Sequence, residues 1–257
     1  MCLILVAWQA HPDYPLVVAA NRDEFFARPT APAAFWTDGR LLAGRDLKDG
    51  GTWMGVTHSG RFAALTNYRD PAQQREGATS RGRLAAHFLG ADERPLPWLR
   101  SHAAAAADYN GFNLIAADGH ELAWASNVSG DCAVLPPGVY GLSNHLLDSP
   151  WPKLVAARSA LAQALGALPD QRPLFELLRD DTIHPDQQLP RTGVSLEWER
   201  LLSSAFVKAP GYGTRSSTVL LMSRDGSIVF DEQTWLEGGV PGGRVRFRFR
   251  RAAPASS

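Results

Sequence analysis

Along the first seventy residues apolar positions come in short runs separated by turn-forming residues, and each run predicts a strand. Leu3 to Trp8 is apolar with little interruption, the pattern of a strand covered on both faces or of a core helix. Leu16 to Ala20 is a second run, set apart from the first by the turn signal His11-Pro12-Asp13. Shorter segments follow at Phe35-Trp36 and Leu41-Leu42-Ala43, with Asp38-Gly39 between them. Thr52 to Thr57 and Arg61 to Asn67 flank His58-Ser59-Gly60 and read as a hairpin.

The pattern then changes. Ser80 predicts the N-cap of a helix through Leu89, ended by Gly90. Pro97 to Asp108 is Ala-rich and predicts a second helix, stopped by Asn110-Gly111. Strands are expected at Phe112 to Ala116, Glu121 to Ser126, Cys132 to Leu135 and Val139 to Ser143. Pro150 and Pro152 suit the start of a helix reaching about Leu165, since a proline in the first turn gives up an N–H that has no partner there. Further helices are expected over Leu174 to Arg179 and Leu196 to Ser203. A hairpin, Ser217 to Met222 and Ile228 to Phe230, turns at Arg224-Asp225-Gly226. The alternation of Arg244 to Arg250 predicts an edge strand with one charged face, which discourages sheet-to-sheet aggregation. Strands at both ends, helices mostly between and no βαβ alternation predict the α+β class rather than a doubly wound parallel sheet. No linker or repeat interrupts the chain, so one domain is expected over residues 1–251, with a loose tail at 252–257.

Composition narrows the function classes. Of 257 residues, 45% are hydrophobic and 20% charged, which suits a globular chain and not a disordered one. Lys+Arg and Asp+Glu are both 26, so the basic excess of a general nucleic-acid or anionic-membrane binder is missing. No apolar run approaches the roughly 18–20 residues of a membrane span. Met1 to Trp8 lacks the basic region of a signal peptide. Cys2 and Cys132 make neither a disulfide framework nor a zinc spacing, and the seven histidines form no i, i+4 pair. The expectation is a cytoplasmic protein without a bound metal, acting on a small molecule. Cys132 reads as an inert buried thiol.

Two features carry candidate chemistry. Cys2 follows the initiator methionine, and removal of Met1 would leave a thiol and a free α-amine on one residue. An α-amine has a pKa of about 7.7–8.0 and can serve as a base near neutrality. The thiol is a good nucleophile once deprotonated, so one residue can supply both halves of a nucleophile–base pair. The plain alternative is a small residue starting a buried strand. The second feature is Asn21-Arg22-Asp23-Glu24, placed where the second strand is expected to end. Extended geometry puts Asn21 and Asp23 on one side and Arg22 on the other. The plain alternative here is a solvated strand end with an Arg–Asp pair.

Together Met-Cys at the start and Asn-Arg-Asp-Glu some twenty residues on resemble the NRDE-motif family, also called the transport and Golgi organisation type 2 family. Gly50-Gly51-Thr52-Trp53-Met54-Gly55, Ala64-Leu65-Thr66-Asn67-Tyr68-Arg69, Ser80-Arg81-Gly82, Tyr109 to Leu114, Gly141-Leu142-Ser143-Asn144 and Tyr212 to Ser217 extend the match over about residues 1–235. That family in turn resembles the N-terminal-nucleophile hydrolases, above all the bile-salt hydrolase and penicillin V acylase branch. The resemblance implies a four-layer αββα sandwich and an N-terminal cysteine that attacks an amide carbonyl. It implies catalytic roles for Cys2, for Asp23 as the holder of the amine, for Asn67 and Asn144 at the oxyanion or substrate, and for Arg215 beside the nucleophile. Asn21, Arg22, Glu24 and Arg81 are the expected substrate contacts.

One departure stands out. The hydrolase branch carries an Arg just before the Asn of this motif, whereas this chain has Ala20 there and Arg22 one place after Asn21. Two functions therefore compete. One is hydrolysis of a non-peptide amide or thioester through Cys2. The other is binding and trafficking of haem, acyl-CoA or lipid on the same scaffold, with haem as a ligand and not a resident cofactor. A scaffolding role is suggested by the family's name alone.

Overall fold

The computed structural model describes residues 2–37, 39–102 and 107–252. Two antiparallel sheets form its middle layers. The first has the order β10 (Gly138–Leu142), β1 (Cys2–Trp8), β2 (Leu16–Phe25), β12 (Tyr212–Met222), β13 (Ser227–Leu236) and β14 (Val240–Arg250), with the two-residue β11 (Lys208–Ala209) paired to β12. The second is a meander in chain order: β3 (Thr30–Phe35), β4 (Leu41–Asp46), β5 (Met54–Thr57), β6 (Phe62–Asn67), β7 (Phe112–Ala117), β8 (Leu122–Ser126) and β9 (Cys132–Val134).

Each helical layer is an insertion into one sheet. Helices α1 (Gly82–Gly90) and α2 (Pro95–His102) lie between β6 and β7, and their Leu84, Phe88 and Trp98 pack on Leu41, Leu65 and Leu114 of the second sheet. Helices α3 (Pro152–Ala164), α4 (Arg172–Leu177) and α5 (Leu196–Leu201) lie between β10 and β11. Leu154 and Leu161 of α3 and Leu174 of α4 pack on Leu3, Leu5 and Val17 of the first sheet. Between the sheets, Val6 and Val18 meet Val56, Phe62 and Ile115. The layer order is therefore α, β, β, α. It explains why Leu3 to Trp8 reads as a continuous run: a strand covered on both faces needs apolar side chains on both.

Most expected elements are present with shifted ends. The second strand is ten residues long and not five. The helix expected from Ser80 begins at Gly82, with Arg81 in the cap position and no side-chain cap. The helix expected over Pro97 to Asp108 starts at Pro95, and its residues 103–106 lie outside the described ones, as do Asp38 and residues 253–257 of the expected tail. Strand β14 turns Val245, Phe247 and Phe249 toward the inter-sheet core and Arg244, Arg246, Arg248 and Arg250 outward. Arg244 clamps the fully buried Asp231 with two hydrogen bonds, at 2.7 and 2.9 Å. Among the described residues no helix is long and apolar enough to cross a membrane.

The start of α1 is pinned to the loop before β5 by two glycines. Thr52 N–H donates to the Gly82 carbonyl at 3.1 Å. A Cβ on Gly51 would sit 2.4 Å from the Gly82 carbonyl carbon and 2.8 Å from Arg83 N, both rigid main-chain atoms. Gly51→Ala is therefore expected to lower stability by about 1–3 kcal/mol through overpacking. A urea titration with an unchanged slope and a lower midpoint checks it; a midpoint equal to wild type refutes it.

Candidate active site at one end of the sandwich

The site is set by the register of β2. This strand continues through Asn21-Arg22-Asp23-Glu24 because both of its edges stay paired. Cys2 of β1 lies opposite Arg22, and Tyr212 of β12 lies opposite Phe25. The motif is thus inside a strand, which corrects the expectation of a strand end at Ala20. Strand alternation then divides it between two faces. Asn21 and Asp23 continue the row of Val17 and Ala19 toward the helices, and Arg22 and Glu24 continue the row of Val18 and Ala20 toward the second sheet. Cys2 shares the inter-sheet face with Ile4 and Val6.

A cavity of about 260 Å³ opens where these faces meet the second sheet and α1. Cys2, Arg22, Asp23 and Glu24 form one wall, Trp53 and Asn67 the opposite one, and Arg81 stands at the start of α1. The Arg22 guanidinium lies 4.3 Å from the Trp53 ring centroid and donates to Thr30 Oγ1 at 3.2 Å. It is 3.9 Å from Glu24 and 4.0 Å from Asp46. Trp53 can lie flat because Gly44 is bare: a Cβ there would come within 2.2 Å of the indole. Arg28 bridges Asp46 at 2.7 Å and Asp49 at 2.5 Å. Arg81 donates to the Gly111 carbonyl at 3.1 Å, and burial lowers its pKa.

Burial raises the Cys2 thiol above its ordinary value, with the chain's terminal ammonium and Arg22 pulling the other way and Asp23 adding to the rise. A hydrogen bond from the Asp23 backbone also favours the thiolate. The Asp23 carboxyl is buried too, and burial raises it against the terminal ammonium and Lys153. Its Oδ1 accepts from Thr214 Oγ1 at 2.8 Å. Lys153 reaches in from α3 with its Nζ donating to the carbonyls of Leu202 at 2.8 Å and Ser204 at 3.4 Å. Burial, and Arg69 next, lower Lys153 to about 8. Arg69 pairs with the buried Glu199 at 2.9 Å. Burial and Asp23 also raise the Tyr212 phenol well above its ordinary value.

Three of the expected site residues lie elsewhere. Asn144 does not line the cavity: its Nδ2 donates to the Asn67 carbonyl at 2.9 Å and its Oδ1 accepts from Ser143 Oγ, which also donates to the Cys2 carbonyl. It fastens Asn67 directly and touches Cys2 only through Ser143. Arg215, expected beside the nucleophile, sits at the register shift between Thr214 and Ser216. That bulge aims its guanidinium at the carbonyls of Phe25 and Arg28, at 2.9 and 3.1 Å. Asn21, expected at the substrate, faces the helices. It donates to the carbonyls of Leu178 at 2.7 Å and Ala205 at 2.8 Å and accepts from Ser217 Oγ at 2.6 Å. Cys2, Asp23, Asn67, Arg22, Glu24 and Arg81 do meet at the cavity. The Ser143, Arg69 and Thr214 partners sit inside motifs singled out above, one or two places from the named residues. Lys153 carries no such signal.

A family model described as Transport and Golgi organisation 2 matches residues 1–237. The Transport and Golgi organization protein 2 homologs of Bos taurus and Homo sapiens are 39% and 38% identical over 261 residues, covering 92% of this chain and 94% of each relative. The Transport and Golgi organization protein 2 of Drosophila melanogaster is 28% identical over 270 residues, covering 91% of this chain and 92% of its own. Among solved structures, a mutant conjugated bile acid hydrolase from Clostridium perfringens is 10% identical with a TM-score of 0.45, covering 97% of this chain and 92% of that one. An N-acylethanolamine-hydrolyzing acid amidase ortholog from Caenorhabditis elegans is 13% identical with a TM-score of 0.37, covering 86% and 92%.

Two outcomes follow from these environments. Asn21→Ala strands two buried carbonyls and is expected to cost about 2–6 kcal/mol, at about 1–3 per unsatisfied group. Alkylation of Cys2 should proceed as in wild type, and a chemical melt beside an iodoacetamide time course checks both. Asp23 has a raised pKa, so its ionisation costs stability as pH rises from the ordinary value of 3.8 through the raised one. Asp23→Asn escapes that cost. Its Tm relative to wild type should climb across that window and then stay level or higher at pH 7. A Tm difference that falls as pH rises would contradict the assignment.

Proposed function

The chain belongs to the Transport and Golgi organisation 2 family, and we propose from the site itself that it is an N-terminal-cysteine hydrolase of a small-molecule amide or thioester. The observation that carries this reading is the meeting of Cys2, Asp23 and Asn67, distant in sequence, at one polar cavity. Once Met1 is removed, the Cys2 amine takes the Sγ proton and the sulfur attacks the carbonyl carbon. Asn67 donates to the oxyanion, a contribution of about 2.7–4 kcal/mol for such a donor. The C–N bond breaks, the leaving amine takes the proton back, and water hydrolyses the resulting thioester to release the acid and restore the thiol. Asp23 orients the amine, Asn144 holds Asn67, and Arg22, Glu24 and Arg81 contact the substrate. The working compartment in this reading is the cytoplasm, where both free thiols stay reduced.

A second reading has one observation in its favour. Burial raises the Cys2 thiol while Arg215 points away from it, so the cationic activation expected at the nucleophile is weak. The cavity would then bind without turnover, holding a carboxylate or phosphate of haem, acyl-CoA or lipid on Arg81.

The two readings separate on Cys2→Ala. Hydrolysis of an amide and thioester panel should drop to the uncatalysed background in this variant, with the fold intact by circular dichroism. Equal turnover in both proteins would refute the hydrolase reading. Absent turnover with haem or acyl-CoA binding unaffected by Cys2→Ala would support the second.

A further inference from the structure

We propose that Ser143 is a positioning residue for the nucleophile: its hydroxyl holds the Cys2 main chain in fixed relation to Asn67, so that sulfur and oxyanion donor meet one carbonyl together. The inference rests on the hydrolase reading, in which Cys2 attacks and Asn67 receives the oxyanion.

The nucleophile and the oxyanion donor belong to different sheets. Cys2 opens β1 in the first, and Asn67 closes β6 in the second. The strand ladder holds Cys2 on one edge only. On the β2 side it stands opposite Arg22. On the β10 side the ladder stops earlier, at Ile4 opposite Leu142. The chain bends from Ser143 onward, and there the Ser143 side chain takes over: its Oγ donates to the Cys2 carbonyl at 3.1 Å. The same hydrogen is shared with Asn144 Oδ1, at 3.3 Å. Asn144 is fixed in turn to the end of β6. Its Nδ2 donates to the Asn67 carbonyl at 2.9 Å, and its own carbonyl accepts from the Arg69 N–H at 2.7 Å. Ser143 and Asn144 are 1% and 0% exposed, so water does not compete for these bonds. Adjacent residues of one loop thus grip Cys2 and Asn67 and tie the ends of β1 and β6 to each other.

The consequence is kinetic. Removal of Met1 makes Cys2 the chain end, and a terminal residue frays unless it is tied down. Without the Ser143 hydroxyl the thiol would still react, but it would stand in line with Asn67 for less of the time. Attack on a carbonyl needs that alignment, because it creates an oxyanion. Displacement at an alkyl carbon creates none and needs only the thiolate. Ser143 does not line the cavity, so it makes no contact with substrate there.

The test compares two reactions of Cys2 in the protein freed of Met1, in a Cys132→Ser background. Phenyl thioacetate acylates it: Sγ bonds to the acetyl carbon, the bond to the leaving sulfur breaks, and thiophenol departs with the thiol proton. Iodoacetamide alkylates it: Sγ displaces iodide and the proton goes to buffer. Ser143→Ala should slow acylation about ten- to hundredfold, the cost of a small misalignment, and leave the alkylation rate in place. Ser143→Thr, which keeps the hydroxyl, should recover most of the loss. In steady-state turnover Ser143→Ala should lower kcat with KM unchanged. A Ser143→Ala ratio of acylation to alkylation equal to wild type overturns the proposal. So does an equal loss of both rates, which marks a purely structural role, or a Ser143→Thr ratio as low as that of Ser143→Ala. The ratio needs no turnover, so the expected ratios without hydrolysis would refute the hydrolase reading alone. Cys2-dependent hydrolysis with an unchanged ratio would refute the role of Ser143 alone.

Discussion

The pairing of β2 with β1 on one side and β12 on the other is the constraint on which the site depends. Cys2 stands opposite Arg22 and Thr214 opposite Asp23 only in this register. A slip of one residue would turn Asp23 toward the second sheet and Arg22 toward the helices, because side chains alternate with a period of two. The slip is resisted by apolar rows on both faces, Val17 and Ala19 under α3 and Val18 and Ala20 against the other sheet. A motif of four polar residues is thereby held by the burial of the four residues before it.

The division of the motif also divides its electrostatics. On the cavity side Arg22, Arg28 and Arg81 face Glu24, Asp46 and Asp49, and the two kinds of charge interlock. There Arg28 holds the Asp46 carboxyl below its ordinary value despite burial. On the helix side the charges are fewer and deeper. One face suits recognition of a polar ligand, the other the setting of proton affinities. Cys2 belongs to both, with its sulfur on the first and its main chain at the boundary.

Much of this was legible in the residues. The strand at Leu3 to Trp8, the hairpin ending at Asn67 and the helix at Pro152 all follow from runs and turn signals. The alternation that parts Arg22 from Asn21 and Asp23 follows from strand geometry. What failed did so for tertiary reasons. The second strand outlasts its apolar run because neighbours 190 residues away keep its edge paired, and no local pattern records that. Arg215 is turned by a bulge, which has no composition of its own. Asn144 spends its amide on a main-chain carbonyl, a contact set by where the loop after β10 comes to rest. Lys153 looks like any lysine near the start of a helix until α3 is laid against β1.

The topology also imposes an order of events on a chain made from its amino end. Strands β3 to β9 pair in sequence and can assemble as they emerge. The first sheet is completed late: β1 and β2 can pair as they emerge, but β1 waits for β10 and β2 waits for β12 on their other edges. At about 5–20 residues per second, some 10–40 s of synthesis separate the appearance of Cys2 from that of Tyr212. Throughout that interval β2 lacks the partner strand that will later pair with its second edge. The late arrival of β12 thus leaves the Asn21-to-Glu24 edge of β2 unpaired until most of the chain has been made.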